Sequence, residues 1–256
     1  MTSEATPGDA TLASDDFSQE AMIHRLPKAK VVDRIAYLTD LVRGRRVVHV
    51  GFVDAGCRTM QEGADAWLHG HLDRVAGSLV GIDVDEAGVA SAVGQGYEAY
   101  AVDCRDAEAV AALGLQPAEI VLAGEVIEHL DDVGSFLDGL HALVAPDGWL
   151  VLTTPNATGL LNSAAALAGY ELNHPDHVVV FTWRTLSNLL GRHGWQVVAA
   201  RTFVPVVKTT PGRGVKLRVL AGGARLACFT ERLLGRLGAP FVADGLIVVA
   251  RPAGRR

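Results

Sequence analysis

Residues 119–156 read EIVLAGEVIEHLDDVGSFLDGLHALVAPDGWLVLTTPN, and this stretch decides the fold. It opens on a short apolar run, EIVLAGE, and closes on another, WLVLTTPN. Between them, residues 132–145 place Val133, Phe136, Leu137, Leu140 and Leu143 on one face of a helix. Pro146-Asp147-Gly148 is a turn that sends the chain back into the second run. Strand, amphipathic helix and strand in this order make a parallel pair joined by a right-handed crossover.

The same alternation continues upstream. RRVVHVG (45–51), LVGID (79–83) and YEAYAVD (97–103) read as strands. Residues 64–76, 86–95 and 106–113 read as helices. A further helix is predicted from about Lys30, with Val31, Ile35, Leu38 and Val42 at helical spacing and Gly44 as its stop. Downstream, TWRTLSNLLGRHG predicts a helix near 183–193, QVVAART a strand, residues 217–237 a long helix, and GLIVVAR a final strand. The expectation is an open α/β sheet in one domain over 21–256, with a cap-like insertion at about 205–240. Residues 1–20 are polar and acidic and read as a flexible tail.

Composition narrows the function. The 256 residues are 49% hydrophobic and 20% charged, enough to bury a sizeable core. A net charge of −6 gives no general attraction to nucleic acid or to an anionic membrane. No apolar run approaches the roughly 20 residues needed to span a bilayer. The start has no basic residue and does not read as a signal peptide. Cys57, Cys104 and Cys228 are too few and too scattered for a disulfide framework or a zinc knuckle. A soluble, cytoplasmic protein is expected.

In an open α/β sheet, ligands bind beyond the carboxyl ends of the strands. The polar groups there are GFVDAG (51–56), Asp83, Asp103, Glu125 and Asn156. Gly51 can bring backbone N–H groups close to a ligand, or simply make a tight turn. Asp83 can accept both hydroxyls of a ribose, and Asp103 can accept from the exocyclic amine of adenine. Either acid, or Asp85, can instead cap the following helix. These features by themselves fit NAD as well as S-adenosylmethionine.

The segments GEVIEHLDD (124–132) and PDGWLVLTTPN (146–156) resemble motifs of class I S-adenosylmethionine-dependent methyltransferases. The resemblance is greatest to the branch containing the ubiquinone-biosynthesis O-methyltransferases. It runs in order through GIDVDEAGV, YAVDCRDAE, AGEVIEHL and HPDHVVVFTWRTLSNLLGRHGWQV, over roughly residues 30–204. It implies a Rossmann-like sheet of seven strands, mostly parallel with an antiparallel last strand and helices on both faces. It further implies that Gly51 holds the methionine part of the cofactor, Asp83 with Val84 the ribose side, and Asp103 with Cys104 the adenine. Ala123, Gly124 and Glu125 would lie under the cofactor. The chain departs from the family in its first motif: His49 stands where an acid is usual, and Val53 and Ala55 replace later glycines. Asp54, or His69 and His71, are candidate substitutes, although those histidines also read as exposed helix surface.

Glu125-x-x-Glu128-His129, with His174 and His177 downstream, resembles the divalent-metal motif of small-RNA 2′-O-methyltransferases. Glu125, Glu128, His129 and His177 would then hold a cation such as Mg²⁺, which lowers the pKa of an acceptor hydroxyl. One helical turn would place the first three on one face. Without metal, His129 or His177 could act as general base, with Glu125 beside them. Residues 208–236 carry seven Lys and Arg against Glu231 alone, and Leu226, Phe229, Leu233 and Leu237 form a helical stripe. That pattern reads as an amphipathic helix with a solvated basic face.

The expected function is S-adenosylmethionine-dependent O-methylation of a small molecule by direct displacement. The alternatives are an RNA 2′-O-methyltransferase, disfavoured by charge and by too few stacking aromatics, an NAD-dependent oxidoreductase, and a non-catalytic partner protein. Oligomeric state is left open between monomer and homodimer.

Overall fold

A computed structural model describes residues 23–53, 67–167, 169–205 and 215–254. Among these residues, eight strands form one sheet: β1 (Val31–Val32), β2 (Arg46–Val50), β3 (Ser78–Asp83), β4 (Glu98–Ala101), β5 (Ala118–Gly124), β6 (Val144–Pro155), β7 (Trp195–Phe203) and β8 (Gly245–Pro252). Their order is β1-β7-β8-β6-β5-β2-β3-β4. β8 runs antiparallel to both β6 and β7, and the other pairings are parallel. The helices are α1 (Arg34–Val42), α2 (Leu68–Asp73), α3 (Glu86–Gly94), α4 (Ala107–Ala112), α5 (Val133–Gly139), α6 (Leu160–Leu167), α7 (Trp183–Arg192) and α8 (Val215–Arg236).

β5 shows why the sheet is central. Ile120, Val121, Leu122 and Ala123 are all fully buried, as a strand covered on both faces requires. Ile120 and Leu122 pack with Leu38 and Val42 of α1 and Leu72 of α2. Val121 and Ala123 pack on the other face with Phe136 and Leu137 of α5 and Leu186 of α7. β2 repeats the alternation, with Val48 and Val50 on the α5 side and Val47 on the α1 side. The chain steps from β2 outward to β3 and β4, then returns to β5 on the other side of β2. A cleft opens at that reversal, beyond the carboxyl ends of the strands.

Three expectations are corrected, and one helix comes without a prediction. The sheet has eight strands, because Val31–Val32 pair with Thr202 and Phe203 instead of starting a helix. Asp33 then caps α1, its carboxylate accepting from the Ala36 N–H at 2.8 Å. Pro146-Asp147-Gly148 lies inside β6, in an excursion between the Ala118–Val144 and Ile120–Trp149 pairs. α6 carried no clear sequence signal, and none of its side chains is buried. Finally, the apolar stripe of α8 faces outward, with Leu226 and Phe229 66% and 62% exposed, while Cys228 and Glu231 are buried. Small residues bring α8 close to the sheet edge; a Cβ on Gly235 would strike Val31.

Glu231 is the unusual member of that buried face. The Leu161 N–H lies 3.2 Å from both its Oε1 and Asp244 Oδ1, so two carboxyls share one site. Burial, then the Asp244 charge, raises the Glu231 pKa to about 8. Asp244 is also raised, chiefly by burial. A pKa raised on folding gives stability that is complete below the unfolded value and is lost as pH climbs through the folded one. Thermal melting of Glu231→Gln should therefore show a gain at pH 8.5, on the order of 2 kcal/mol, that shrinks toward pH 6.

Candidate active site

The cleft measures about 810 Å³ and is lined from α1, the start of α2, α5, the ends of β2, β3 and β5, the turns after β4 and β5, and the loop before α7. That volume suits a ligand the size of a nucleoside with a side arm. Gly51 closes β2 with φ +69, and a Cβ there would strike the Val126 side chain. Both facts require glycine.

The three acids at the strand ends part company. Asp83 lines the cleft, 9% exposed, with one carboxylate oxygen accepting from the Val53 N–H at 2.8 Å and the other from the Asp85 N–H at 3.0 Å. A carboxylate has roughly four lone-pair sites, so Asp83 retains acceptor capacity toward the cleft. Asp85, not Asp83, caps α3 through the Ala87 and Gly88 N–H groups. Asp103 is held by Arg105, which donates from Nε and from its terminal nitrogen at 2.7 Å. Those hydrogen bonds hold its carboxyl below the usual range. Cys104 beside it is buried, and burial pushes its thiol to about 12, so it packs as a neutral group. Val84 stands exposed on the rim of the cleft.

β5 delivers Gly124 and Glu125. A Cβ on Gly124 would lie 3.1 Å from the Arg34 guanidinium, which occupies the space the glycine leaves. Arg34 Nε is buried and has no partner among the described residues. A cation in that condition calls for an anionic ligand group. Glu125 has φ +56, a conformation that costs a non-glycine residue energy and marks functional sites. Its backbone N–H donates to the Thr153 carbonyl, and its carboxylate accepts from the Thr153 hydroxyl, both at 2.8 Å.

The chain after Glu125 turns as a 3₁₀ segment, Ile127–His129, rather than an α-helix. Glu128 is consequently buried, one oxygen accepting from the Thr154 hydroxyl and the other unpartnered among the described residues. Burial, then the Glu125 charge, raises its pKa to about 8. The expected Glu125–Glu128–His129 face is not formed. The ligand atoms that lie within 4.8 Å of one another among the described residues are those of His129, His174 and His177. All three rings line the cleft. The His129 Nδ1–H donates to the Asp176 carbonyl at 3.2 Å, and the His177 Nδ1–H to Asn173 Oδ1 at 2.7 Å. Each Nε2 is left with a lone pair. His174 differs: its Nδ1 accepts from the Asp176 N–H, so its Nε2 carries the hydrogen.

A family model described as a methyltransferase domain matches residues 29–200. The chain belongs to the methyltransferase-domain family. A solved S-adenosylmethionine-dependent methyltransferase from Archaeoglobus fulgidus shares the fold, with a TM-score of 0.52 and 17% identity over 85% of this chain and 90% of that one. The ubiquinone biosynthesis O-methyltransferase of Rhodopseudomonas palustris is 36% identical over 119 residues, 46% of this chain. The C-methyltransferase NovU of Streptomyces niveus is 28% identical over 176 residues, 67% of this chain. The match spans 47% of the first relative's length and 39% of the second's. The oxidoreductase alternative is set aside by this membership.

Within the methyltransferase domain, the cleft gathers Gly51, Asp83, Val84, Asp103, Cys104, Gly124, Glu125, His129 and His177. Asp54 lies outside the described residues. Glu128 is not among the lining groups, and Asn156 is structural, its amide donating to the Phe241 and Ala243 carbonyls. His69 is 1% exposed, so it is not helix surface. Sequence reasoning missed Arg34, whose only signal was a charge on the first turn of an apolar helix. It also missed Trp67, whose indole N–H donates to the Phe52 carbonyl at 2.7 Å. No helix among the described residues is long and apolar enough to cross a membrane.

Proposed function

We propose that this chain is an S-adenosylmethionine-dependent methyltransferase acting on a hydroxyl of a small molecule. One observation carries the reading: two imidazoles with free Nε2 lone pairs open onto the same cleft as Gly51, Asp83 and Arg34. Gly51 gives the close backbone approach, Asp83 the ribose acceptor, and Arg34 the partner for a carboxylate. Asp103 and Cys104 flank the adenine end, with Val84 on the rim. The bound cofactor would supply a methyl group on a positively charged sulfur, which needs alignment more than activation. His129 or His177 takes the hydroxyl proton at Nε2, and the Asp176 carbonyl or Asn173 steadies the ring from behind. Glu125, held by Thr153, faces the same space.

A resident Mg²⁺ fits this donor set poorly. The clustered ligands are nitrogens, whereas Mg²⁺ prefers oxygen. Glu128 is buried and lies outside the cluster, and a cation at His174 would have to displace its hydrogen on Nε2. No step is assigned to a metal.

The test is calorimetric titration with S-adenosylhomocysteine, with NAD as control, followed by transfer of labelled methyl to a panel of phenols and sugars with and without EDTA. Micromolar one-to-one binding, no NAD binding and EDTA-insensitive transfer to oxygen are expected. Absence of cofactor binding would shift the reading to a non-catalytic partner protein. Product methylated at carbon would move the acceptor class instead.

A further inference from the structure

His49 and His69 form a buried pair at the floor of this cleft. They are 2% and 1% exposed, with their Nδ1 atoms 3.1 Å apart. His49 alternates with Val48 and Val50 along β2, so it projects to the α1 and α2 side, and it lines the cleft. His69, on α2, sits behind it in a cage of Phe52, Trp67 and Tyr97, at ring distances of 4.6, 5.0 and 5.5 Å.

A hydrogen bond between two Nδ1 atoms holds one hydrogen. One ring donates it and keeps an acceptor lone pair on Nε2; the other accepts and carries its hydrogen on Nε2. A buried imidazole pair beside a cation stays neutral: burial, then His69 and Arg34, hold His49 well below 6.5, and burial holds His69 to about 4. The amino-acid arm of the cofactor carries a carboxylate and an ammonium on one carbon. Arg34 suits the carboxylate, so the ammonium must find its acceptor close by.

We propose that His49 donates its Nδ1–H to His69 Nδ1 and accepts the ammonium of the cofactor's amino-acid arm through Nε2. The pair thereby selects a zwitterionic arm, Arg34 reading the anion and a neutral imidazole reading the cation. This rests on the methyltransferase reading above, and the test separates the two.

The probes are S-adenosylhomocysteine, its deamino analogue in which hydrogen replaces the ammonium, and 5′-methylthioadenosine, which lacks the arm. Wild type should bind the first at least about tenfold more tightly than the second, the worth of one hydrogen bond to a charged group. His49→Leu should bind S-adenosylhomocysteine about tenfold more weakly and the other two as wild type does. His49→Gln, whose amide oxygen reaches the Nε2 position, should retain the preference. His49→Asn reaches only the Nδ1 position and should lose it; it keeps a polar partner for His69 and serves where the leucine variant does not fold. If the substitutions weaken all three ligands alike, the pair is structural and the proposal fails. A preference unchanged in both His49→Leu and His49→Asn gives the ammonium to another acceptor, such as Glu125, and also overturns it. If wild type binds none of the three, the methyltransferase reading falls and takes this one with it.

Discussion

Asp83→Ala is expected to weaken S-adenosylhomocysteine binding by about a hundredfold or more. Two hydroxyls of a ribose on one carboxylate make two charge-assisted hydrogen bonds, each worth roughly 1.5–3 kcal/mol. Asp83 is positioned for this because the Val53 and Asp85 N–H groups hold its two oxygens from β2's loop and its own. Those same bonds mean that alanine also frees the glycine turn, so part of the loss would be positional. Asp83→Asn separates the contributions: it keeps an acceptor and loses the charge, and about a tenfold loss is expected. Unlike the His49 variants, both should lose 5′-methylthioadenosine as well, since that ligand keeps the ribose. Titration of the three ligands checks this, and an Asp83→Ala protein with wild-type affinity would remove the ribose assignment.

His129→Ala or His177→Ala is expected to lower turnover by about 10²–10⁴-fold, the range for loss of a general base, with S-adenosylhomocysteine affinity unchanged. The pH dependence tells the two apart. A general base works only when neutral, so activity must fall on the acid side as the imidazole takes up a proton. The His177 pKa is lowered, by burial first and then by the His129 and His174 charges, with Asp176 opposing. If His177 is the base, the acid limb of kcat lies below pH 6.5 and moves up when His129→Ala or His174→Ala removes a neighbouring positive charge. Turnover that survives both single substitutions, with no acid limb, would leave the reaction as alignment alone.

How much of this was legible in the chain depends on the range of the interaction. The strand at 119–125 and the helix after 132 were readable because their periodicity is local. Even so, Val31–Val32 was misread. Two valines with a helical period ahead of them look like a helix start, and only Lys30 accepting the Thr202 N–H from across the sheet makes them a strand. The α8 stripe failed for a similar reason: apolar spacing marks a face, but small residues decided which face approached the sheet.

By itself, the sequence determined the order of strands and helices apart from β1 and α6, the open α/β class, and the positions of Gly51, Asp83, Asp103 and Glu125 at or just beyond strand ends. Period 2, period 3.6 and glycine turns are written in neighbouring residues. Only the tertiary structure decided that His49 meets His69, 20 positions along, that His129 meets the Asp176 carbonyl, 47 positions along, and that Glu128 turns inward. A histidine's tautomer and a carboxyl's protonation follow from burial and from the partner that arrives from elsewhere in the chain, and neither is fixed until the sheet has brought α1, α2 and the loop before α7 around the one cleft.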